Sequence, residues 1–201
     1  MADTTNLPQS TTAVILAGGQ ARRMGGKDKG LIEFHGQPMV EHICHALKHQ
    51  CDAIIINANR NLARYSQFGF PVVSDELDDY QGPLSGMATG LATIETEWMI
   101  TVPCDGPFVA PDYVKSMHQN RGENHRLSVA FFGDRLQPVY ALIHKSLHID
   151  LLDYLKSGER KIDRWYQQHP YHRVDFAHFP DMFININTPE QLKETELTHP
   201  G

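Results

Sequence analysis

The sequence predicts an α/β fold in which helices pack on a mostly parallel central sheet. Short apolar runs of strand length alternate along the chain with stretches of helical periodicity, and no repeat or low-complexity linker separates them. With 201 residues, of which 41% are hydrophobic and 21% charged, the chain can bury one substantial core. We therefore expect residues 1–12 to form a disordered lead-in and residues 13–201 to fold as one domain.

In the first half of the chain, a predicted strand at residues 13–17 leads into a glycine-rich loop. A helix is expected to open near Pro38, because proline suits a first helical position and the apolar residues that follow share one helical face. Those residues are Met39, Val40, Ile43 and Leu47. Two further strands are predicted at residues 53–56 and 71–74, and a Gly-Pro-Leu-Ser-Gly turn at residues 82–86 opens a second helix.

The second half of the chain is predicted to hold strands at residues 98–102, 127–132 and 136–143, a helix at 147–156 and a last strand at 183–187. Gly133 and Asp134, between two of these strands, are a hairpin signal. Thr188 can cap a C-terminal helix, because a proline follows it at the first helical position and a glutamine at the third.

Polar residues stand at the ends of four predicted strands. Asn57, Asp75, Asp105 and Asn187 each lie just past the carboxyl end of a strand. In open α/β sheets this edge is where ligands bind. Any one of the four could be an ordinary turn former, but the four together, beside a glycine-rich loop, predict a binding site.

Composition excludes several classes of function. The net charge of −6 argues against nucleic acid or an anionic membrane as partner. The apolar runs are too short to span a bilayer, and the polar N-terminus lacks the features of a signal peptide. Cys44, Cys51 and Cys104 form no CxxC pair, so we expect neither disulfides nor zinc, and a cytoplasmic location. Cys104 is predicted to be a small buried residue rather than a nucleophile.

The strongest local signal is the loop after the first strand, which reads LAGGQARRMGGKDKG from residue 16 to residue 30. Its paired glycines let the backbone approach a ligand and point N–H groups at an anion. Arg22, Arg23, Lys27 and Lys29 add positive charge, and the combination suits a triphosphate. The loop matches neither the dinucleotide-binding nor the P-loop fingerprint. The alternative is a solvated basic turn.

This loop resembles the LAGG…RMGG-x-DKG signature of the molybdenum cofactor guanylyltransferases, the MobA family. The similarity continues through residues 57–60, Asp75, 82–86, 103–107, 158–160 and 185–190, and covers the chain from about residue 12 to residue 195. Several motifs in the same order are more specific than one loop. The resemblance implies a Rossmann-like three-layer nucleotidyltransferase fold with a mostly parallel central sheet.

The resemblance also implies a GTP site with a metal beside it. The residues implied to bind GTP, with the loop's second glycine included, are Leu16, Ala17, Gly18, Gly19, Lys29, Asn57 and Asp75. The Mg²⁺ ligand of the family falls on Asp105, and a carboxylate there could bridge a hard cation to phosphate oxygens or merely cap a turn. Arg22, Lys29 and Asp105 are the predicted catalytic residues. Lys27 is the rival of Lys29, which holds the lysine position of DKG.

The predicted residues of the acceptor side are Arg23, Gly82, Arg160, Asn185 and Asn187. The two asparagines resemble the family's C-terminal Asn-x-Asn. They could complete the metal or acceptor site, or simply cap the helix that follows. The turns that contain Gly82 and Arg160 are expected to border the pterin pocket, and the two arginines are candidate partners for the charge of the acceptor.

The implied reaction is transfer of GMP from GTP to molybdenum-bound molybdopterin, with Mg²⁺ as cofactor and release of pyrophosphate. A phosphate attacker is already ionised, so no general base is needed, and the sequence shows no nucleophile–base arrangement. One alternative is a relative that uses CTP or a sugar or polyol phosphate, although the cytidylyl relatives typically have Ala at Gly18. The others are a non-catalytic cofactor-delivery module and a generic NAD-binding domain. We expect a monomer that contacts molybdoenzymes or other cofactor-biosynthesis proteins transiently.

Overall fold

A seven-stranded mixed sheet forms the centre of the fold in the computed structural model, which describes residues 10–19, 28–75, 82–119, 121–122 and 124–200. The strands of the described part are β1 (Thr11–Leu16), β2 (Glu33–Phe34), β3 (Gln37–Pro38), β4 (Ala53–Asn57), β5 (Val72–Val73), β6 (Trp98–Pro103), β7 (Leu127–Phe132), β8 (Arg135–His144) and β9 (His172–Asp175). The α-helices are α1 (Met39–Leu47), α2 (Leu62–Tyr65), α3 (Pro83–Thr93), α4 (Tyr113–His118), α5 (His148–Lys156), α6 (Ile162–Tyr166) and α7 (Pro189–Thr198). Short 3₁₀ turns lie at Lys29–Leu31, Ser66–Phe68, Lys145–Leu147 and Pro180–Phe183.

The strand order of the large sheet is β5-β4-β1-β6-β8-β7-β9. β1 is parallel to both of its neighbours, β4 and β6, and the pairs β4–β5 and β7–β9 are also parallel. β8 is antiparallel to β6 and β7. β2 and β3 form a separate two-stranded hairpin. The mostly parallel sheet confirms the predicted fold class.

The side chains of β1 show why the sheet lies between two layers of helices. Successive side chains of a strand point to opposite faces. Ala13 and Ile15 pack in the apolar cluster that holds residues of α1 and α4, whereas Val14 packs in the cluster of α3, α5 and α6. All three are fully buried. A strand buried on both faces is apolar without interruption, and this produced the strand signal in the sequence.

Several predicted elements are confirmed at nearly the predicted positions. Helix α1 begins directly after Pro38, and the β7–β8 hairpin turns at Gly133, whose φ is +57°. The Thr188 hydroxyl accepts a hydrogen bond from the N–H of Gln191 at 3.2 Å, so the predicted N-cap of α7 is also confirmed. β1 begins at Thr11, two residues before its predicted start, and residues 1–9 lie outside the described part.

The predicted last strand at residues 183–187 is wrong. Its start belongs to the Pro180–Phe183 turn, and the residues that follow are not in a strand. The segment instead runs past the end of β6, where the N–H of Ile186 donates to the carbonyl of Asp105 at 2.7 Å. β6 already has β1 and β8 as neighbours, so no sheet position is open there. The alternation of apolar and polar residues in this segment is typical of a strand, but the segment has no neighbouring strand with which to pair.

The sequence did not predict α2, α4, α6, β9 or the β2–β3 hairpin. These elements are short, and β9 carries a single buried apolar residue, Val174, among polar ones. Such segments have too few apolar positions for periodicity to stand out. No helix of the described residues is long and apolar enough to cross a membrane.

Candidate active site

The carboxyl ends of β1, β4 and β6 form the edge of the sheet at which the predicted site residues meet. The N–H of Ala17 donates to the carbonyl of Asn57 at 2.8 Å, and the N–H of Cys104 donates to the carbonyl of Leu16 at 3.2 Å. These bonds continue the parallel pairing to the strand ends, so the three segments leave the sheet side by side. The predicted ligand-binding edge is therefore formed by the ends of these three strands.

Asp75 is held by two asparagines, Asn57 at the end of β4 and Asn59 just after it. The side-chain amides of Asn57 and Asn59 donate to the two oxygens of the Asp75 carboxylate at 2.8 and 2.9 Å. The side-chain oxygen of Asn59 in turn accepts the N–H of Asp75 at 2.8 Å. Asn57 is 1% exposed, which fixes its amide. The structure thus brings the predicted residues Asn57 and Asp75 into direct contact and gives the carboxylate a fixed orientation.

Two glycines allow the surrounding backbone to pack against these asparagines. A Cβ atom on Gly18 would lie 2.9 Å from the Nδ2 of Asn59. A Cβ atom on Gly86, in the second turn of α3, would collide with the Oδ1 of Asn57 and lie 2.8 Å from Leu16 Cδ2. The beginning of α3 can therefore lie against the ends of β1 and β4 only because this position carries no side chain.

Lys29 and Asp105 form the charged centre of the site. The ammonium of Lys29 donates to Oδ2 of Asp105 at 2.9 Å, and it also donates to the side-chain oxygen of Asn187. The two charged side chains are 24% and 18% exposed, so a ligand can reach them while the surrounding protein limits their motion. One predicted catalytic lysine and the predicted metal ligand are therefore in contact.

Asn187 reaches this centre from the loop before α7 rather than from the end of a strand. Its backbone N–H donates to Oε1 of Gln191 at 2.8 Å, and its side-chain Nδ2 donates to the carbonyl of Asn185 at 3.4 Å. Thr188, not an asparagine, caps α7 with its side chain. Helix capping was one of the roles left open for Asn187, and Thr188 performs it instead. Asn185 is exposed beside Gly106.

The comparison with known protein families identifies the chain. Residues 13–174 match the model of the MobA-like NTP transferase domain. The chain is 47% identical over 183 residues to the molybdenum cofactor guanylyltransferase of Shewanella halifaxensis, covering 90% of this chain and 92% of that one. It is 48% identical over 183 residues to the protein of the same name from Shewanella pealeana, with the same coverage. The chain belongs to the molybdenum cofactor guanylyltransferase family.

The fold of this family member also agrees with a solved structure. The molybdopterin-guanine dinucleotide biosynthesis protein A from Archaeoglobus fulgidus matches with a TM-score of 0.77 over 94% of this chain and 97% of that one, at 22% identity. This confirms the predicted Rossmann-like nucleotidyltransferase fold. The names of the relatives agree with the predicted guanylyltransferase activity and do not favour the CTP, sugar-phosphate or delivery-module alternatives.

Asp105 fits the magnesium ligand that the guanylyltransferase family implies. Mg²⁺ is commonly held by one or two protein carboxylates, with water and substrate phosphates as the other ligands. A partly exposed carboxylate just past a strand end meets this requirement, and one cation, the Lys29 ammonium, already lies beside it. No group of three or more His, Cys, Asp or Glu residues in the described ranges is arranged to hold a metal.

Some predicted residues of the guanylyltransferase site cannot be located, and others lie as expected in turns. Arg22, Arg23 and Lys27 lie outside the described residues. Gly82 caps α3 with φ of +125°, a conformation that suits glycine. Arg160, after α5, donates to two backbone carbonyls, those of Leu155 and Glu159.

Cys104 is a buried structural residue, as predicted. It is 7% exposed, and burial together with the neighbouring charge of Asp105 raises the pKa of its thiol well above the usual range. Burial also raises the pKa of Cys44 to about 12 and that of Cys51 to about 11. All three cysteines are free thiols. A thiol that stays protonated is a poor nucleophile, so the chemistry of this family member does not run through Cys104.

The sequence analysis missed three residues that shape the site: Asp28, Asn59 and Gly86. Asn59 lies inside the segment that resembles the family, two residues after Asn57, but no residue pattern distinguished it from a turn former. Gly86 is the last residue of the Gly-Pro-Leu-Ser-Gly turn. The turn was predicted from the sequence, but the close approach of Gly86 to Asn57 was not. Asp28 precedes Lys29 in the DKG signature, and this was the only signal for it.

Proposed function

We propose that this chain transfers GMP from GTP to the terminal phosphate of molybdenum-bound molybdopterin, with Mg²⁺ held by Asp105. The single observation that carries the proposal is the contact of Lys29 with Asp105 at the ligand-binding edge of the sheet, 2.9 Å apart. The relatives at 47–48% identity, which bear the guanylyltransferase name, support guanine and molybdopterin as the substrate classes.

The reaction is an in-line displacement at the α-phosphorus of GTP. An oxygen of the acceptor phosphate forms the new phosphorus–oxygen bond, the bond to the oxygen that bridges to the β-phosphate breaks, and pyrophosphate leaves with the electron pair. The attacking phosphate is ionised at neutral pH, so the protein need not remove a proton from it. Catalysis then consists of positioning the two phosphates and neutralising their charge.

In this reaction Lys29 stabilises the charge that develops on the departing pyrophosphate. Its ammonium is fixed by Asp105 and Asn187, so little reorganisation is needed when the charge appears. Bound Mg²⁺ supplies further neutralisation of the phosphate oxygens. We assign to Leu16, Ala17, Gly18 and Gly19 the backbone wall of the GTP site, and to Asn57 and Asp75 a rigid polar surface beside it. Arg22 is assigned to the phosphates as well.

The acceptor side of the proposal rests on Asn187, Asn185 and Gly82. Asn187 contacts Lys29 directly, so a group bound against it lies within reach of the phosphates of GTP. Gly82 opens α3, whose N–H groups begin near the ends of β1 and β4. Arg23 and Arg160 are proposed as further partners for the charge of molybdopterin.

We propose further that the enzyme works as a monomer in the cytoplasm and hands its product to molybdoenzymes or other cofactor-biosynthesis proteins in transient contacts. Free thiols at all three cysteines suit a reducing compartment. Light scattering after gel filtration tests the monomer, and a stable dimer would overturn it.

The decisive experiment measures pyrophosphate release from each of the four NTPs with Mg²⁺, with and without molybdenum-loaded molybdopterin. We expect release only when GTP and the acceptor are both present, and only with a divalent metal. Release with CTP would keep the chemistry and overturn the choice of base. Tight GTP binding without any release would exclude the proposed transfer.

A further inference from the structure

Asp28 is a buried carboxylate immediately before Lys29 in the chain. Its side chain is 3% exposed. Oδ1 accepts the hydroxyl of Tyr65 at 2.6 Å, and Oδ2 accepts the side-chain amide of Asn61 at 3.1 Å. The guanidinium Nε of Arg60 lies 3.3 Å from the same Oδ2. Burying a charge costs little free energy only when such partners surround it. These partners all lie in the segment that follows β4, so that segment fixes the backbone at Asp28.

The residue after Lys29 is fixed from the other side. A Cβ atom on Gly30 would lie 2.6 Å from the Tyr65 hydroxyl oxygen and 3.3 Å from Cβ of Cys104. Gly30 is therefore packed between the Tyr65 hydroxyl, which binds Asp28, and Cys104, which precedes Asp105. Lys29 lies between two immobilised neighbours, within a 3₁₀ turn in which the N–H of Leu31 donates to the carbonyl of Asp28 at 3.1 Å.

The segment from the end of β4 to Asn61 holds the carboxylates of Asp75 and Asp28. Asn57, the last residue of β4, and Asn59 bind the carboxylate of Asp75, and the later residues Arg60 and Asn61 bind that of Asp28. Asn61 adopts a left-handed conformation with φ of +52°. The turn that carries Lys29 and the Asp75 side of the GTP site are thus attached to the same segment.

We propose that Asp28, held by Arg60, Asn61 and Tyr65, is a positioning residue that fixes the Lys29 ammonium for phosphoryl transfer. The four residues are called the Asp28 brace below. The brace acts through Lys29 and does not touch substrate. A lysine side chain has many rotamers, and the brace removes the additional freedom of the backbone from which it extends.

This inference deepens the proposed function, because it assumes that Lys29 acts on the phosphates of GTP. Its test therefore needs one readout that does not depend on turnover. The variant of choice is Tyr65→Phe, which removes the hydroxyl that contacts both Asp28 and Gly30 but keeps the ring in the core. Tyr166→Phe is the matched control, because its buried hydroxyl also donates to an oxygen, the carbonyl of Pro138 at 2.6 Å, on the opposite face of the sheet.

The first readout is the acetylation rate of the Lys29 amine, measured by peptide mass spectrometry on the full chain without substrate. An ammonium held by Asp105 and Asn187 is acetylated slowly, because its two partners hinder the approach of the reagent to the nitrogen. We expect the rate at Lys29 to rise about 3-fold or more in Tyr65→Phe as the ion pair loosens, and to stay within about 1.5-fold of the unmodified chain in Tyr166→Phe.

The second readout is steady-state pyrophosphate release. A misplaced Lys29 should lower kcat about 10-fold in Tyr65→Phe, with the KM for GTP changed less than about 2-fold, because positioning matters most in the transition state. In a Lys29→Ala background, adding Tyr65→Phe should change kcat less than about 2-fold, because the brace then has nothing left to position. Asp28→Asn should reproduce the effect of Tyr65→Phe if the chain folds.

The outcomes separate the two proposals. Unchanged acetylation of Lys29 in Tyr65→Phe, or a full additional loss of kcat in the Lys29→Ala background, overturns the positioning role of Asp28 whatever the enzyme does. Faster acetylation together with an unmodified chain that releases no pyrophosphate supports the brace and rejects the proposed function. Faster acetylation with a selective loss of kcat supports both.

Discussion

The Lys29 ammonium lies 2.9 Å from the Asp105 carboxylate, although 76 positions separate the two residues in the chain. The first follows the glycine-rich loop after β1, and the second follows β6, which is the parallel neighbour of β1. Adjacent parallel strands thus bring the proposed phosphate-binding cation and the proposed metal-binding carboxylate to one point. A partly exposed ion pair contributes little to stability, so the role proposed for this pair is catalytic.

Replacement of Lys29 by Ala should therefore cost activity and not stability. We expect kcat for pyrophosphate release to fall about 100-fold or more, with a smaller change in the KM for GTP, because the charge on the leaving group is greatest in the transition state. The melting temperature should change by no more than about 2 °C. Lys156→Ala, on an exposed face of α5, is the control. Equal losses in kcat and GTP affinity would mean that Lys29 serves only ground-state binding.

Asp105→Ala should abolish metal-dependent turnover while the fold is kept. The carboxylate is 18% exposed and its main partner is Lys29, so its removal leaves no buried charge unpaired. We expect residual activity below about 1% of the unmodified chain and no recovery at higher Mg²⁺ concentration. Pyrophosphate release across a Mg²⁺ titration, with circular dichroism as the folding control, makes the measurement. Normal turnover in this variant would remove Asp105 from the metal site.

Gly86→Ala should disturb the site through packing. Alanine is favoured over glycine in a helix by about 1 kcal/mol, but the new methyl would collide with the buried amide of Asn57, which is fixed by Asp75. We expect a net loss of about 1–3 kcal/mol in the free energy of unfolding and weaker GTP binding. Urea titration and GTP calorimetry make the two measurements.

Gly90→Ala is the control for this packing effect, one turn later in α3. A Cβ atom there would lie 2.6 Å from the Sδ of Met99 and 3.1 Å from Cγ2 of Val14, so this variant also crowds the core but does so away from Asn57. GTP affinity should be unchanged in Gly90→Ala. Equal losses of affinity in the two variants would show that the helix as a whole, and not the contact with Asn57, supports the site.

Gly19→Ala offers the opposite case. A Cβ atom at this position would meet no atom of the described residues within 4 Å, so this part of the chain has room for the methyl. We expect an unchanged melting temperature but a KM for GTP raised about 10-fold, because the methyl would occupy space that the phosphates approach. Unchanged kinetics in this variant would place the triphosphate elsewhere along the loop.

Much of this site could be predicted because its residues stand at recognisable places in the sequence. Asn57 and Asp105 end or follow apolar strands, and Lys29 follows a glycine-rich loop, so the α/β topology alone brings them to one edge. The resemblance to the family then gave them roles. The hydrogen bonds of Asp75 could not be predicted, because they depend on how the chain turns after Asn57.

The errors have a common physical origin in tertiary contacts. Asn187 was placed after a strand because the residues before it alternate in polarity, whereas the segment is held by the carbonyl of Asp105 and by packing of Ile186 against Phe34 and Met39. The apolar residues of such a loop are buried in a small separate cluster. Their spacing in the sequence looks the same as that of a strand with one face on the core, so periodicity cannot distinguish the two. Asp28 was overlooked for a similar reason, since its partners lie more than 30 positions away.

The stability of the chain should depend on pH through His118, at the end of the sheet opposite the site. Burial, and then the charge of Arg121, lowers its pKa from 6.5 to about 4, and its Nε2 lies 2.9 Å from the hydroxyl of Thr11. The unfolded chain binds a proton at His118 near pH 6.5, but the folded chain does so only near pH 4. The stability associated with neutral His118 is therefore complete above pH 6.5 and is lost progressively as the pH falls toward 4.

Urea unfolding between pH 7.5 and pH 5 measures this dependence. We expect the free energy of unfolding to fall over this range in the unmodified chain and to fall less steeply in His118→Gln, whose side chain can still bond to Thr11 but does not titrate. His45→Gln, on an exposed position of α1, should leave the slope unchanged. An identical slope in His118→Gln and the unmodified chain would show that His118 is protonated in the folded state already near neutral pH, and that other groups set the acid sensitivity.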